Sequence, residues 1–128
     1  MGFVLGRGSR KKLTGVHPDL VRVVERAIEI TDTDFAVIEG LRSPERQREL
    51  VAAGASKTLR SRHLTGHAVD LCALVGGKAR WDWPLYRRLA RAMQAAATAG
   101  GVPLEWGGDW ARFPDGPHFQ LPWAEYPA

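Results

Sequence analysis

The spacing of apolar residues changes repeatedly along this 128-residue chain, and this pattern constrains the fold more than any other feature. The segments with helical spacing are 18–31, 44–53 and 84–99. The short apolar runs that are typical of strands are 34–40, 67–74 and 117–121. Because helices and strands alternate without a regular βαβ repeat, we predict an α+β fold. About three helices would pack on a small, mainly antiparallel sheet.

The length suits one compact domain, and no linker or internal repeat interrupts it. Residues 1–12 are predicted to be a loosely held basic tail, and 13–128 a single domain. The only cysteine is Cys72, so the chain has no internal disulfide and no zinc site made of several cysteines. A metal site in this chain must therefore use histidines and carboxylates.

The formal charge of +4 favours an anionic partner, either nucleic acid or a cell envelope. A nucleic-acid-binding module, the non-enzyme alternative, would need basic patches interleaved with aromatic residues or a recognition helix. The sequence has neither, because its Arg and Lys residues are spread along the chain. We also find no secretory signal pattern and no apolar run near the roughly 18 residues of a membrane span. We therefore expect synthesis in the cytoplasm without stable membrane anchoring.

His63 and Asp70, seven positions apart, are the first candidate metal ligands. Zinc holds its ligands at about 2.0–2.2 Å, whereas a fully extended segment would place these residues roughly 23 Å apart. Thr65 and Gly66 allow the necessary bend, because glycine adopts backbone angles that other residues avoid. Asp70 then lies on the following strand. His67 falls on the opposite face of that strand, which argues against it as a ligand.

A third ligand must come from another part of the chain, and His118 is the remaining candidate. Two histidines and one aspartate would leave a coordination position open for water, as catalytic zinc sites do. The spacing alone is weak evidence, since such a pair often arises by chance. Simple hydrogen bonding by His63 and His118 is the alternative, and on spacing alone it is the more common case.

Two carboxylates in the last quarter of the chain are candidates for a general base. Asp115 lies three residues before His118, in the turn 114–117, and could lean over a bound metal to take a proton from water. Asp, Gly and Pro also favour turns for local reasons, so an ordinary turn residue is the alternative. Glu105 is the second candidate for the base.

Residues 61–70 fit the pattern S-x-H-x-x-G-x-A-x-D. This pattern resembles the signature of the zinc D-alanyl-D-alanine carboxypeptidase and dipeptidase family, which also includes phage endolysins. The segments that resemble the endolysin branch, the phage L-alanyl-D-glutamate endopeptidases, are 15–20, 39–47, 106–110 and 115–119. The similarity extends over about residues 14–121, and it implies the Hedgehog/DD-peptidase-like α+β fold of that family.

The resemblance assigns roles to particular residues. It makes His63, Asp70 and His118 the zinc ligands and Asp115 the catalytic carboxylate. The carboxypeptidase branch usually has Glu at the position of Asp115, whereas the phage endopeptidases have Asp. Arg42 matches an arginine that faces the substrate, where a guanidinium would stabilise an oxyanion or bind a carboxylate.

The resemblance also suggests substrate-binding roles for two polar residues, Ser61 and Gln47. The implied function is a zinc-dependent endopeptidase that hydrolyses the L-Ala–D-Glu bond of the peptidoglycan stem peptide by metal-activated water. A D,D-carboxypeptidase or dipeptidase of the same family is the alternative. We expect a monomer, made in the host cytoplasm, that reaches the cell wall after a holin-type partner has permeabilised the membrane.

Overall fold

A computed structural model describes residues 2–56 and 58–127 of the chain. The α-helices in these residues are α1 (Arg7–Lys12), α2 (Pro18–Ile30), α3 (Pro44–Ala52) and α4 (Trp83–Gly100). The strands are β1 (Phe35–Glu39), β2 (Ala68–Val75), β3 (Lys78–Arg80), β4 (Glu105–Trp106) and β5 (His118–Gln120). Two short 3₁₀ helices cover Arg62–Thr65 and Gly107–Asp109.

The strands form one antiparallel sheet built around β2. β1 pairs with one edge of β2, while β5 and β3 share the other edge. β4 pairs with β5 and ends the sheet on that side. The predicted α+β fold with a small antiparallel sheet is confirmed, although the sequence analysis identified neither β3 nor β4.

The two long helices cover one face of the sheet. Val69 and Leu71 of β2 are fully buried in the apolar core, together with Phe119 of β5 and Met93 of α4. Because side chains alternate along a strand, Asp70 points to the opposite face of the sheet. Cys72 lies on that face too and is buried. The helical layer therefore supports the sheet from behind and leaves its other face for a functional site.

Residues 7–12 differ from the predicted loosely held tail, because they form α1, which packs against β1. Leu5 and Ser9 are buried, and the Ser9 hydroxyl accepts a hydrogen bond from the backbone N–H of Val37 at 2.9 Å. This bond satisfies a donor of β1, which lies at the edge of the sheet. The basic side chains of α1 are exposed as expected.

The other helix boundaries follow from local chemistry. Pro18 starts α2, and the ring of His17 accepts a hydrogen bond from the backbone N–H of Asp19 at 3.1 Å. Ser43 caps α3 in the same way, as the sequence predicts. Within the described part of the chain, no helix combines the length and apolar character needed to cross a membrane.

Candidate metal centre

His63 is held in place by the 3₁₀ helix Arg62–Thr65 and the turn that follows it. The Ser61 hydroxyl caps this helix by accepting a hydrogen bond from the backbone N–H of His63 at 3.2 Å. The helix ends at Gly66, whose φ is +75°. A Cβ atom at this position would lie 2.3 Å from the carbonyl oxygen of Gly15. Only glycine both adopts this φ readily and leaves room for the Gly15 carbonyl oxygen. The structure therefore has the bend at the position that the sequence predicts.

Asp70 and His118 face each other across the β2–β5 ladder, where they are direct register partners. Residues opposite each other in an antiparallel pair have Cβ atoms about 4.5–5.5 Å apart on the same face. Sheet pairing thus brings together two side chains that are 48 positions apart in sequence. The turn at Gly66 adds His63 from one end of the sheet.

The three side chains converge on one point. The Asp70 Oδ1 atom lies 3.3 Å from His63 Nε2 and 3.2 Å from His118 Nδ1. One ligand atom from each residue lies within 4.8 Å of the others, and this is the group among the described residues that could hold a metal ion. Both histidines are buried, whereas Asp70 is 18% exposed.

Hydrogen bonds set the orientation of the His63 ring. Its Nδ1 atom lies 2.8 Å from the carbonyl oxygen of Gly40. Because a carbonyl oxygen can only accept, Nδ1 carries a proton, which leaves Nε2, on the Asp70 side, as the ring nitrogen that can bind a metal in place of its hydrogen bond to Asp70. Ligand histidines typically use one ring nitrogen for the metal and the other to donate to an acceptor of this kind.

The charges within the group stabilise one another. Burial disfavours ionisation of Asp70, but hydrogen bonds and attraction from His118 and His63 hold the pKa of its carboxyl well below the ordinary value. Burial also disfavours the charged form of His118, yet its hydrogen bond to Asp70 raises the pKa of this imidazole. Asp70 is thus kept in the ionised form that ligates metals.

The donor set fits zinc. Two imidazole nitrogens and one carboxylate oxygen are common zinc ligands, and three protein ligands are typical of catalytic sites. The group also lines a cleft of about 1200 Å³, so a ligand can reach it.

Asp115 lines the same cleft, in the turn that leads into β5. Its backbone N–H donates to the carbonyl oxygen of Gly107 at 2.9 Å, and its carbonyl oxygen accepts from the backbone N–H of His118 at 3.2 Å. Burial, with the negative charge of Asp70 as the next cause, raises the pKa of the Asp115 carboxyl against the positive charges around it. A carboxyl group of this kind is suited to proton transfer.

Comparison with known proteins places the chain in a family. The model of the phage L-alanyl-D-glutamate peptidase family matches residues 1–121. This chain belongs to that family. The resemblance to the endolysin branch is therefore confirmed.

Individual relatives agree with this membership. The chain is 32% identical over 114 residues to the L-alanyl-D-glutamate peptidase of Escherichia phage T5, and the match covers 86% of this chain and 83% of that protein. It is 38% identical over 93 residues to the L-alanyl-D-glutamate peptidase of Listeria phage A118, covering 73% of this chain and 32% of that longer protein. The crystal structure of the Serratia marcescens L-Ala D-Glu endopeptidase ChiX superposes with a TM-score of 0.93, at 52% identity, over 98% of this chain and 95% of that one.

In this member of the peptidase family, Arg42 lies on the wall of the cleft and is firmly anchored. Its Nε and Nη2 atoms donate to the two carboxylate oxygens of Glu39, both at 2.6 Å. Its Nη1 atom donates to Gln47 Oε1 at 2.6 Å and lies 3.4 Å from the Ser61 hydroxyl. The guanidinium is therefore preorganised, and Glu39 is a supporting residue that the sequence analysis did not identify.

Gln47 is 1% exposed and does not line the cleft, contrary to the substrate-binding role expected for it. Its amide oxygen accepts from Arg42, while its Nε2 atom donates to the Ser56 hydroxyl and the carbonyl oxygen of Thr58. Both ends of the amide are thus engaged inside the protein. Gln47 holds Arg42 and the segment beyond α3 in place. Ser61, in contrast, lines the cleft.

The remaining histidines lie away from the metal group. His67 contacts His17, with ring centroids 5.4 Å apart, and its Nδ1 atom lies 2.6 Å from the Thr65 hydroxyl. This agrees with the prediction that His67 faces away from Asp70.

Gly66→Ala should be markedly more destabilising than Gly54→Ala, and this tests the turn that carries His63. Both glycines have a positive φ, +75° and +77°, so alanine at either position costs about 1–2 kcal/mol of backbone strain. Only at Gly66 does the added Cβ also meet a backbone oxygen, because a Cβ at Gly54 has nothing within 4 Å. Denaturant unfolding of both variants measures the difference, and equal losses would contradict the assigned role of Gly66.

Proposed function

We propose that this chain is a zinc-dependent endopeptidase that hydrolyses the L-Ala–D-Glu bond of the peptidoglycan stem peptide. The observation that carries the proposal is the convergence of His63, Asp70 and His118 on the wall of a cleft that also contains Asp115. The family and the relatives named above support the choice of bond. The Serratia protein does so over nearly the whole chain.

In this proposal, His63, Asp70 and His118 hold one zinc ion. Zinc in such a site supplies Lewis acidity towards a carbonyl group and lowers the pKa of water. The protein contributes the fixed geometry, since each ligand lies on a strand or a capped turn. The hydrogen bond from His63 to Gly40 keeps the correct ring nitrogen free for the metal.

Asp115 is the general base in this proposal. It lies in a rigid turn tied to Gly107 and His118, so its carboxylate stays on the cleft wall beside the metal group. It would accept the proton of the attacking water and later pass it to the amine of the leaving group.

Arg42 and the size of the cleft support a peptide substrate. The γ-linked D-Glu residue carries a free α-carboxylate close to the scissile bond, and the anchored guanidinium of Arg42 is a suitable partner for it. Ser61, next to Arg42, would add a hydrogen-bonding hydroxyl. The cleft exceeds the roughly 300–1,000 Å³ of small-molecule pockets, as a peptide-binding groove requires.

The place of action follows from the substrate. Peptidoglycan lies outside the inner membrane, so we propose that the enzyme acts in the periplasm or cell wall. The holin-type partner stays a prediction of the sequence analysis. The monomeric state likewise stays a prediction of the sequence analysis.

His63→Ala and His118→Ala should each abolish stable zinc binding, because the remaining two ligands cannot hold the ion. His67→Ala is the matched control and should keep full zinc occupancy, since its ring packs beside His17 instead. Metal content after dialysis, measured by atomic absorption, checks both expectations. Full occupancy in His63→Ala would refute the ligand assignment.

Asp115→Asn should retain zinc but lose turnover by about 10²–10⁴-fold, as expected when a general base is removed. The loss should appear in kcat more than in KM, because proton transfer is felt in the transition state. Steady-state kinetics on a soluble stem peptide, with zinc content measured in parallel, tests this. Turnover close to wild type would show that another group is the base.

Digestion of purified peptidoglycan tests the bond that is cut. We expect new peptides with an N-terminal D-Glu, and glycan strands whose stems end at L-Ala, both identifiable by mass spectrometry. The His63→Ala variant is the negative control. Release of free D-Ala would instead support the D,D-carboxypeptidase alternative and contradict this proposal.

A further inference from the structure

Behind His118, on the side away from Asp70, lies a chain of hydrogen bonds that the proposed mechanism does not use. The Nε2 atom of His118 lies 2.7 Å from Gln120 Oε1. The Gln120 Nε2 atom donates to Glu105 Oε2 at 3.2 Å, and Trp110 Nε1 donates to the same oxygen at 2.9 Å. Gln120 is buried, at 6% exposure. The inference from this chain rests on the proposed zinc site.

His118 can bind a metal through Nδ1 only if the ring proton is on Nε2. The ring has two tautomers, and Asp70 Oδ1, 3.2 Å from Nδ1, favours the proton on Nδ1 when no metal is bound. A hydrogen-bond acceptor next to Nε2 has the opposite effect, because it favours the proton on Nε2. The oxygen of the Gln120 amide is such an acceptor, whereas its NH₂ group would be a donor and would favour the wrong tautomer.

The orientation of the Gln120 amide therefore decides which His118 nitrogen is free. A carboxylate only accepts hydrogen bonds, so Glu105 requires that Gln120 turn its NH₂ group towards it. The amide oxygen must then face His118. Glu105 and Gln120 are register partners on β4 and β5, and Trp110 fixes the carboxylate from its other side.

We propose that Glu105 and Gln120 are positioning residues that fix the metal-binding tautomer of His118 by a relay of hydrogen bonds. The acceptor at Glu105 orients the amide of Gln120, and the amide oxygen keeps the proton on His118 Nε2. The Nδ1 lone pair then faces Asp70 and the metal. In this proposal Glu105 is a positioning residue instead of the general base that was its second possibility, because its Oε2 atom already accepts hydrogen bonds from Trp110 and Gln120.

The proposal predicts that zinc affinity depends on a hydrogen-bond acceptor at position 105 and not on the negative charge of Glu105. Glu105→Leu removes the acceptor and should weaken zinc binding by about 10–100-fold, as is typical when a group supporting a metal ligand is lost. Gln120→Leu should have a similar effect. Glu105→Gln should bind zinc like wild type, because an amide oxygen can accept from both Trp110 and Gln120.

Zinc affinity is measured by competition with a chelator, with Glu49→Leu as the control, since the Glu49 side chain is 68% exposed. Denaturant unfolding of each variant shows whether it folds. The proposal is overturned if folded Glu105→Leu and Gln120→Leu bind zinc as wild type does. It is also overturned if Glu105→Gln loses as much turnover as Glu105→Leu while both retain wild-type zinc affinity, which is the result expected of a general base.

A measurement on the unaltered protein keeps the proposal testable even if the leucine variants do not fold. In ¹⁵N spectra of the zinc-loaded wild type, the His118 proton should be on Nε2 and exchange slowly with solvent. A proton on Nδ1, with zinc on Nε2, would refute the relay. If the wild type binds no zinc, the proposed function itself fails, so the two failures are distinguishable.

Discussion

The pairing of β2 with β5 is the constraint on which the candidate site depends. This ladder places Asp70 opposite His118, and the same register buries Val69 and Phe119 on the other face. A slip of β5 by one residue would turn His118 into the core and move Phe119 to the opposite face, so His118 would no longer face Asp70. The burial energy of the core therefore also fixes the register of the candidate site, and no separate interaction has to hold the Asp70 and His118 side chains together.

The loop between β1 and α3 adds a second fixed point. The carbonyl oxygen of Gly40 orients His63, while the backbone N–H of Arg42 donates to the His63 carbonyl oxygen at 2.9 Å. A Cβ at Gly40 would lie 2.1 Å from the Lys12 carbonyl oxygen, so α1 packs tightly behind this loop. The metal group and the proposed substrate-binding arginine therefore share one support.

The sequence predicted the parts of this protein that depend on local patterns. Helical spacing and the cap at Ser43 located α2, α3 and α4, and strand parity separated Asp70 from His67. Features that depend on tertiary packing were missed. α1 has little apolar periodicity and is held largely by Leu5 and Ser9, while β4 has only two residues and forms because β5 lies beside it.

The same limit applies to the roles of polar residues. Motif resemblance grouped Gln47 with residues that act on the substrate, and the position of Glu105 in the last quarter of the chain made it a candidate base at the metal. Only the hydrogen bonds show that Gln47 holds Arg42 and that Glu105 contacts Gln120 and Trp110. Sequence alone does not distinguish a residue that contacts a ligand from one that orients its neighbour. The sequence did offer one signal for Gln120. It lies two positions after His118 on a strand, and residues at that spacing share one face.

The single buried cysteine has a consequence for where the fold can exist. Cys72 is 1% exposed in the middle of β2, and burial raises the pKa of its thiol, so little reactive thiolate is present. The chain has no second cysteine for an internal bridge. No internal disulfide therefore contributes to its stability. The same structure, with the same covalent bonds, should persist when the protein passes from a reducing compartment to an oxidising one.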